Sequence, residues 1–257
     1  AGDDLDAGKI EMNLSNIVSR QMRHAEAEKY CRAALKHFIK AGEKNWQAMA
    51  ENGLANTYAE LNDLKKAAEF YKRALTTARS EKMLVTEAEI EASLGNLAIL
   101  RGNYSEALNS LERSRQKYND LAMPHQSAIA DLEIADIYAE LNLFSEANAT
   151  YDRIAPVFTR LKMGSEEART RLNHAGNLSR SDDHRAVKRE LDRALRLFEH
   201  ENNRAGQAST LLARAELEIG QGEYVQALDT LASAAAFIAV SENPRQIIDL
   251  KLLKAGA

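Results

Sequence analysis

Apolar and polar positions along this chain recur at helical spacing and, on a longer scale, in a forty-residue register that runs from one end to the other without a gap. One column of that register holds only small residues, Ser15, Ala55, Gly95, Ala135, Ala175 and Ala215, the type needed where two helices approach closely. A second reads Ala27, Ala67, Ala107, Ala147, Val187 and Ala227. A third, seven residues beyond it, reads Ala34, Ala74, Ser114, Ile154, Ala194 and Ala234. The larger Cys31, Tyr71, Leu111, Tyr151, Leu191 and Leu231 lie between those two, so the steps are four and then three, a helical face and not a strand. The pentapeptide Tyr58-Ala59-Glu60-Leu61-Asn62 even returns unchanged as Tyr138-Ala139-Glu140-Leu141-Asn142.

Residues that tolerate the left-handed backbone, Asn62, Gly102, Asn142, Asp182 and Gly222, fall between the first and second columns and mark a tight turn inside each repeat. A second set of breaks falls near Gly42, Glu81, Met123, Gly164, Asn203 and Asn243. The pattern predicts helix pairs at 6–20/24–41, 46–61/64–80, 83–101/104–119, 124–141/144–161, 164–179/184–200 and 203–220/224–240. A thirteenth helix from Pro244 to about Ala255 follows, with proline suited to its first turn. Pro156 falls inside a predicted helix, where it should remove one hydrogen bond and clash with the Asp152 carbonyl. It reads either as a change of curvature at the fourth repeat or as a helix end.

Leu54-Ala55, Tyr58, Ala67, Tyr71 and Ala74 match in order the signature of the tetratricopeptide repeat (TPR) family, which this chain resembles. The forty-residue period exceeds the family's usual one of about 34 and is similar to the long-helix TPRs of kinesin light chain and of the spindle-orientation adaptor LGN. The resemblance implies an all-α, right-handed alpha-alpha superhelix of six helix-turn-helix repeats plus a terminal helix, its first helices lining the concave face. A second resemblance rests on residues 7–14 (AGKIEMNL), 137–143 (IYAELNL) and 157–163 (VFTRLKM), which look like the TPR region of bacterial CHAT-domain proteins, the caspase- and separase-related peptidases. In that family a separate domain carries the His/Cys dyad, and nothing here corresponds to it. The chain is therefore expected to be one solenoid domain spanning 1–257 and a fragment of a longer protein, the more so because apolar residues such as Leu252 and Leu253 fall at its end without an expected partner.

Composition narrows the function classes. A hydrophobic fraction of 45% with 28% charged residues argues for a folded, helix-rich chain and against disorder. The net charge of −4 is spread in mixed sign, and basic clusters such as Arg185 to Arg196 alternate with acids, so a nucleic-acid partner is not expected. No apolar stretch approaches the length of a membrane span, which together with the single cysteine, Cys31, points to a reducing, cytoplasmic setting. Cys31 shares a column with Tyr71 and Leu111 and is expected to be a buried packing residue and not a nucleophile. The six histidines have neither the spacing of a helical zinc site nor a cysteine partner, and His174, in a column of leucines, should be partly buried and hydrogen-bonded. Carboxylates lie on regular helix faces, so no catalytic pair, cofactor or metal site is expected.

The binding expectation rests on one column directly after the small one: Asn16, Asn56, Asn96 and Asp136, lapsing at Gly176 and Glu216. An amide offers donors and an acceptor, so such a ladder suits the backbone of an extended peptide without choosing its sequence. One helical turn to either side, Lys9, Met12 and Arg20, then Asn52 and Glu60, then Glu89, Glu140, Arg169 and Arg180 share the face, basic at both ends and acidic between. The leading expectation is a non-catalytic scaffold holding a protein or peptide. The alternative is a ligand-sensing helical module of a signalling or transcriptional regulator, and the Asn column itself reads alternatively as packing between repeats.

Overall fold

The computed structural model describes residues 2–180, 183–241 and 243–257. Among these, no strand occurs and thirteen α-helices follow one another: α1 Gly2–Arg20, α2 His24–Ala41, α3 Lys44–Glu60, α4 Leu64–Ser80, α5 Leu84–Leu100, α6 Tyr104–Asp120, α7 Pro124–Glu140, α8 Phe144–Leu161, α9 Gly164–Leu178, α10 His184–His200, α11 Arg204–Gly220, α12 Tyr224–Ser241 and α13 Pro244–Gly256. The chain is an all-α repeat superhelix by class. Helix ends match the sequence pattern within two residues, except that α1 begins four residues earlier than expected. Asp4 explains the extension, since its carboxylate is held by Lys40 at 2.8 Å and by His37 at 3.1 Å on α2. The bond from Lys40, then that from His37, keeps the Asp4 carboxyl below its ordinary range.

The turns obey a twenty-residue rhythm. Left-handed residues fall at Met22, Gly42, Asn62, Lys82, Gly102, Ala122, Asn142, Lys162, Asn202 and Gly222. At the described within-repeat turns the amides two and three past the helix reach back, as Asn62 N does to Ala59 O at 2.9 Å and Asp63 N to Tyr58 O at 2.8 Å, so the last carbonyls are satisfied without side chains. Asp182 lies outside the described residues. The second set of breaks thus uses Lys82, Ala122 and Lys162, not the neighbouring residues that the sequence pattern picked out. Alanine at 122, with φ 52°, carries a Cβ clash of about 1–2 kcal/mol that glycine lacks. Glycine's extra freedom in the unfolded chain returns about 0.4–1 kcal/mol of that. Ala122→Gly is therefore expected to stabilise the fold by about 0.5–1 kcal/mol, read as a rise in urea midpoint with unchanged slope; a fall would mean the turn is held by something other than backbone geometry.

Two compact units divide the chain, Ala1–Ala130 and Asp131–Ala257, with the division inside α7. In the first, Phe38, Leu54, Tyr58, Phe70, Tyr71, Ile90 and Leu97 form one buried cluster with the small columns between them. Gly95 shows why that column must stay small, because a Cβ there would sit 2.7 Å from Leu111 Cγ. In the second unit Tyr151, Ile154, Leu191, Leu212 and Leu231 are buried beside Ala175, Ala194, Ala215 and Ala234. Within each unit the odd-numbered helices also approach one another, α3 with α5 and α9 with α11. All four sequence columns are buried throughout. Met12 belongs with them: it packs in the first cluster beneath Gly53, so it is a core residue and not part of the polar face to which the helical spacing assigned it. α8 continues through Pro156 to Leu161, so the proline does not end the helix.

A set of buried acids was not anticipated. Glu51, Glu91 and Asp131, forty residues apart, are almost fully buried, and each meets an arginine twenty-two residues on: Arg73 at 2.8 Å, Arg113 at 3.5 Å and Arg153 at 2.8 Å. In the next repeat the signs invert, with Arg171 held between Glu167 at 2.6 Å and Glu190 at 2.9 Å. Arg73, Arg113, Arg153 and the Arg171–Glu190 pair each tie the two helices of a repeat together near mid-helix.

Candidate functional site

An asparagine that follows a buried alanine on a helix is rotated by about a quarter turn out of the core. Asn16, Asn56 and Asn96 accordingly follow Ser15, Ala55 and Gly95 and are all exposed on the odd-numbered helices of the first unit. Asn56 is not merely solvated, because the Tyr71 hydroxyl donates to its Oδ1 at 2.6 Å. Burial pushes the Tyr71 phenol up to about 12, so it stays a donor at neutral pH. The flanking residues are less uniform. Lys9 lies 5.4 Å from the Trp46 ring and 3.9 Å from Asp6; Arg20 and Glu60 are exposed; Asn52 is half-buried, with an Oδ1 that no donor reaches. Glu89 is exposed overall, yet the helix surface around its carboxyl excludes enough water to push its pKa up. These eight residues share a face on the odd-numbered helices of the first unit.

The second unit brings its share together. Asp136 is a hub: Oδ1 accepts from the Tyr151 hydroxyl at 2.8 Å and from Asn173 Nδ2 at 2.8 Å, and Oδ2 accepts from Arg169 at 2.9 Å. Burial and the Asp136 carboxylate both push the Tyr151 phenol up, which keeps it protonated. Asp136, Glu140, Asn173 and Arg180 line a cavity of about 380 Å3, with Tyr151 and Asn142 on its wall. Arg180 lies over the Phe144 ring at 4.8 Å, and among the described residues Glu140 has no hydrogen-bond or ion-pair partner. Beneath the cavity Asn177 is buried and donates to Phe144 O at 3.0 Å and to Asn148 Oδ1 at 2.5 Å, leaving its own Oδ1 unpaired.

With these contacts in place, residues 6–80 match the tetratricopeptide repeat family. No curated protein sequence matches the chain. Among solved structures, BtubC (BKLC) from P. vanneervenii superposes with a TM-score of 0.71 at 17% identity, covering 86% of this chain and 90% of that one. Rap protein complexed with Competence and Sporulation Factor gives 0.69 at 18% identity, over all of this chain (100%) and 67% of its own. NprR in complex with its cognate peptide NprX gives 0.68 at 13% identity, over 98% and 72%. The fold is a TPR superhelix. At such identities the likeness concerns architecture, and the chemistry must come from the residues.

Two features of the TPR face escaped the sequence pattern. The tyrosines at 71 and 151 carry the polar ladder, each fifteen residues after the group it holds, Asn56 and Asp136; the signal was their recurrence in a column that is otherwise Cys or Leu. Asn177 was visible as the one amide in the column of Thr57, Leu97, Ile137 and Leu217.

The remaining candidates for chemistry are structural. Cys31 is buried with its Sγ 3.0 Å from the Ser15 hydroxyl, and burial raises its thiol pKa, which disfavours the nucleophilic thiolate. His174 is buried against Tyr151, ring centroids 5.6 Å apart, and burial lowers its pKa, so the ring is neutral at pH 7. The sequence pattern called for a hydrogen-bonded imidazole, but its polar neighbour is Asp152 at 3.9 Å, beyond hydrogen-bond range. Among the described residues no group of three His, Cys, Asp or Glu side chains is arranged to hold a metal ion, and no helix is long and apolar enough to cross a membrane.

Proposed function

We propose that this chain is a non-catalytic TPR scaffold that holds a protein or an extended peptide along the faces of its odd-numbered helices. The observation that carries the reading is that Asp136, Glu140 and Arg180, all candidates from the repeat pattern, line one polar cavity of about 380 Å3, with a fourth candidate, Arg169, bonded to Asp136. A polar wall with paired donors and acceptors suits peptide amides better than it suits an apolar small molecule. Two of the superposed proteins, Rap and NprR, were crystallised with a peptide or factor bound, which supports the same use of this fold. The likeness of residues 7–14, 137–143 and 157–163 to CHAT-associated TPRs supports a recognition arm of such a protein.

The test uses a phage-displayed random dodecapeptide library selected on the wild-type chain, with affinities of the enriched peptides measured by isothermal titration. Asn56→Ala with Asn96→Ala is expected to lower affinity about tenfold or more, which corresponds to about 1.4 kcal/mol. Tyr71→Phe is the control, because it removes the bond that Asn56 receives without removing Asn56. A ligand role requires the double variant to lose clearly more affinity than Tyr71→Phe. Equal losses, or full affinity in the double variant, would reduce the ladder to packing.

A further inference from the structure

Gly176 occupies the ladder column where the earlier repeats carry Asn16, Asn56, Asn96 and Asp136, and it sits inside α9, two residues from its end. Glycine in a helix is less stable than alanine because the unfolded chain has more freedom to lose. At Gly8, Gly95 and Gly206 the reason for a helical glycine is visible, since a Cβ would lie 2.6 Å from Phe38, 2.7 Å from Leu111 and 2.4 Å from Phe198, while Gly220, which meets no atom, is the last residue of α11. Gly176 has no such reason: a Cβ built on it meets no atom within 4 Å, and its backbone is right-handed helix like its neighbours. The fold leaves room at this point and does not use it.

That room is shared by two cavities of the second unit. Gly176 lines the cavity of about 380 Å3 with Asp136 and Glu140, and it also lines a neighbouring one of about 310 Å3 with His184, Glu216 and Leu217. Glu216, the next residue of the ladder column, resembles Glu140 in having no partner among the described residues. Asp136 is already balanced by Arg169, so Glu140 and Glu216 are the carboxylates left without a cation on either side of the glycine, while the Arg180 guanidinium, lying over Phe144, is the cation among the residues that line the larger cavity. The nine-tenths buried Asn177, next in sequence, has an unpaired Oδ1 in the wall of the larger cavity. A missing side chain lets a ligand's own backbone come close, which is the use of glycine at binding surfaces.

We propose that the backbone of an extended, basic peptide crosses α9 at Gly176, occupying the two cavities that this glycine lines, with Glu140 and Glu216 receiving its Lys or Arg side chains. This deepens the scaffold reading and rests on it. The charge contribution acts through orientation and association rate and weakens with salt.

Gly176→Ala and Gly176→Met separate binding from folding because they should move the two in opposite directions. Both are expected to raise the melting temperature by about 2–4 °C, since a better helix former enters open space. Both are expected to lower the affinity of library-selected dodecapeptides, Met by about tenfold or more and Ala by less. Glu140→Gln and Glu216→Gln are each expected to weaken the same peptides about threefold to tenfold at low salt and to leave the melting temperature unchanged. The selected peptides should carry at least one Lys or Arg. Wild-type affinity in Gly176→Met, or selected peptides without basic residues, would overturn the proposal while leaving the scaffold reading standing if Asn56→Ala with Asn96→Ala still lowered affinity by about tenfold or more. Failure of the library to yield any peptide above a bead control would overturn both.

Discussion

Phe38→Ala is expected to cost about 3–5 kcal/mol, the range for removing a fully buried phenyl ring. The ring is fully buried, stacks on Trp46 with centroids 5.4 Å apart, and lies against the backbone of α1 at Gly8, where a Cβ would be 2.6 Å from Cε1. It therefore joins three helices, α1, α2 and α3. Ile39, the next residue, is 53% exposed and serves as the comparison, since Ile39→Ala should change stability by less than about 0.5 kcal/mol. Because repeat arrays lose stability locally, the measurement is hydrogen exchange of the α1 to α3 amides together with urea unfolding. A Phe38→Ala protein whose α1 amides stay as protected as wild type would show that α1 is held by its polar contacts to α2 and not by this ring.

The second large effect concerns charge. Glu91 has no exposed surface, and its oxygens are reached by Arg79 at 3.0 Å, Arg113 at 3.5 Å and Lys117 at 2.6 Å. Glu91→Ala removes the common acceptor, and hydrogen bonds to charged groups are worth about 1.5–3 kcal/mol each and do not add. Arg79 and Arg113 are half exposed and can turn to water, and Arg79 and Lys117 keep Glu87, so the expected loss is about 2 kcal/mol, below that of a fully enclosed pair. Arg113→Ala leaves two cations in place and should cost under about 1 kcal/mol. A pH dependence accompanies the cluster. Burial, the largest influence on Glu87, would raise its pKa, yet the bond from Arg79 and the charge of Lys117 outweigh it, and the net shift is downward from 4.5. A carboxyl lowered on folding contributes stability that is fully present above its unfolded pKa and is lost as pH falls through the lower folded value. Acid titration of the melting temperature should thus fall below about pH 4.5 in wild type, and the fall should be shallower in Glu87→Gln. A Glu91→Ala protein with wild-type stability would mean that desolvation of Glu91 cancels its three ion pairs.

Much of this architecture was legible because it rests on local rules repeated many times. Asn62, Gly102, Asn142 and Gly222 are turn residues by their own backbone preference, and the structure places all four in the left-handed region. Lys82, Ala122 and Lys162 were illegible for the opposite reason: nothing in a lysine or alanine favours φ near 55°, and it is the packing of the helices on either side that holds them there. Met12 was misplaced because helical spacing assigns a residue to a sector, while the long side chain turned inward beneath Gly53, where a missing Cβ left space. The buried acids show the same limit. Their forty-residue recurrence stood in the sequence at Glu51, Glu91 and Asp131, but a charged residue on a helix reads as solvated until the partner helix supplies the arginine that makes burial tolerable.

The sequence by itself determined the period, the helix pairs, the four buried columns and the face on which Asn16, Asn56, Asn96 and Asp136 lie, because each follows from side-chain spacing along one helix. Only the tertiary structure decided which of those face residues lie side by side. Asp136, Arg169 and Asn173 meet because α7 and α9 bring positions more than thirty residues apart within hydrogen-bond reach, and Glu140 and Arg180 line the cavity beside them. It also decided that Asn56 answers to Tyr71, and that Gly176 borders open space where Gly95 does not. Those are distances between helices, set by how the repeats stack, and no periodicity within a single helix contains them.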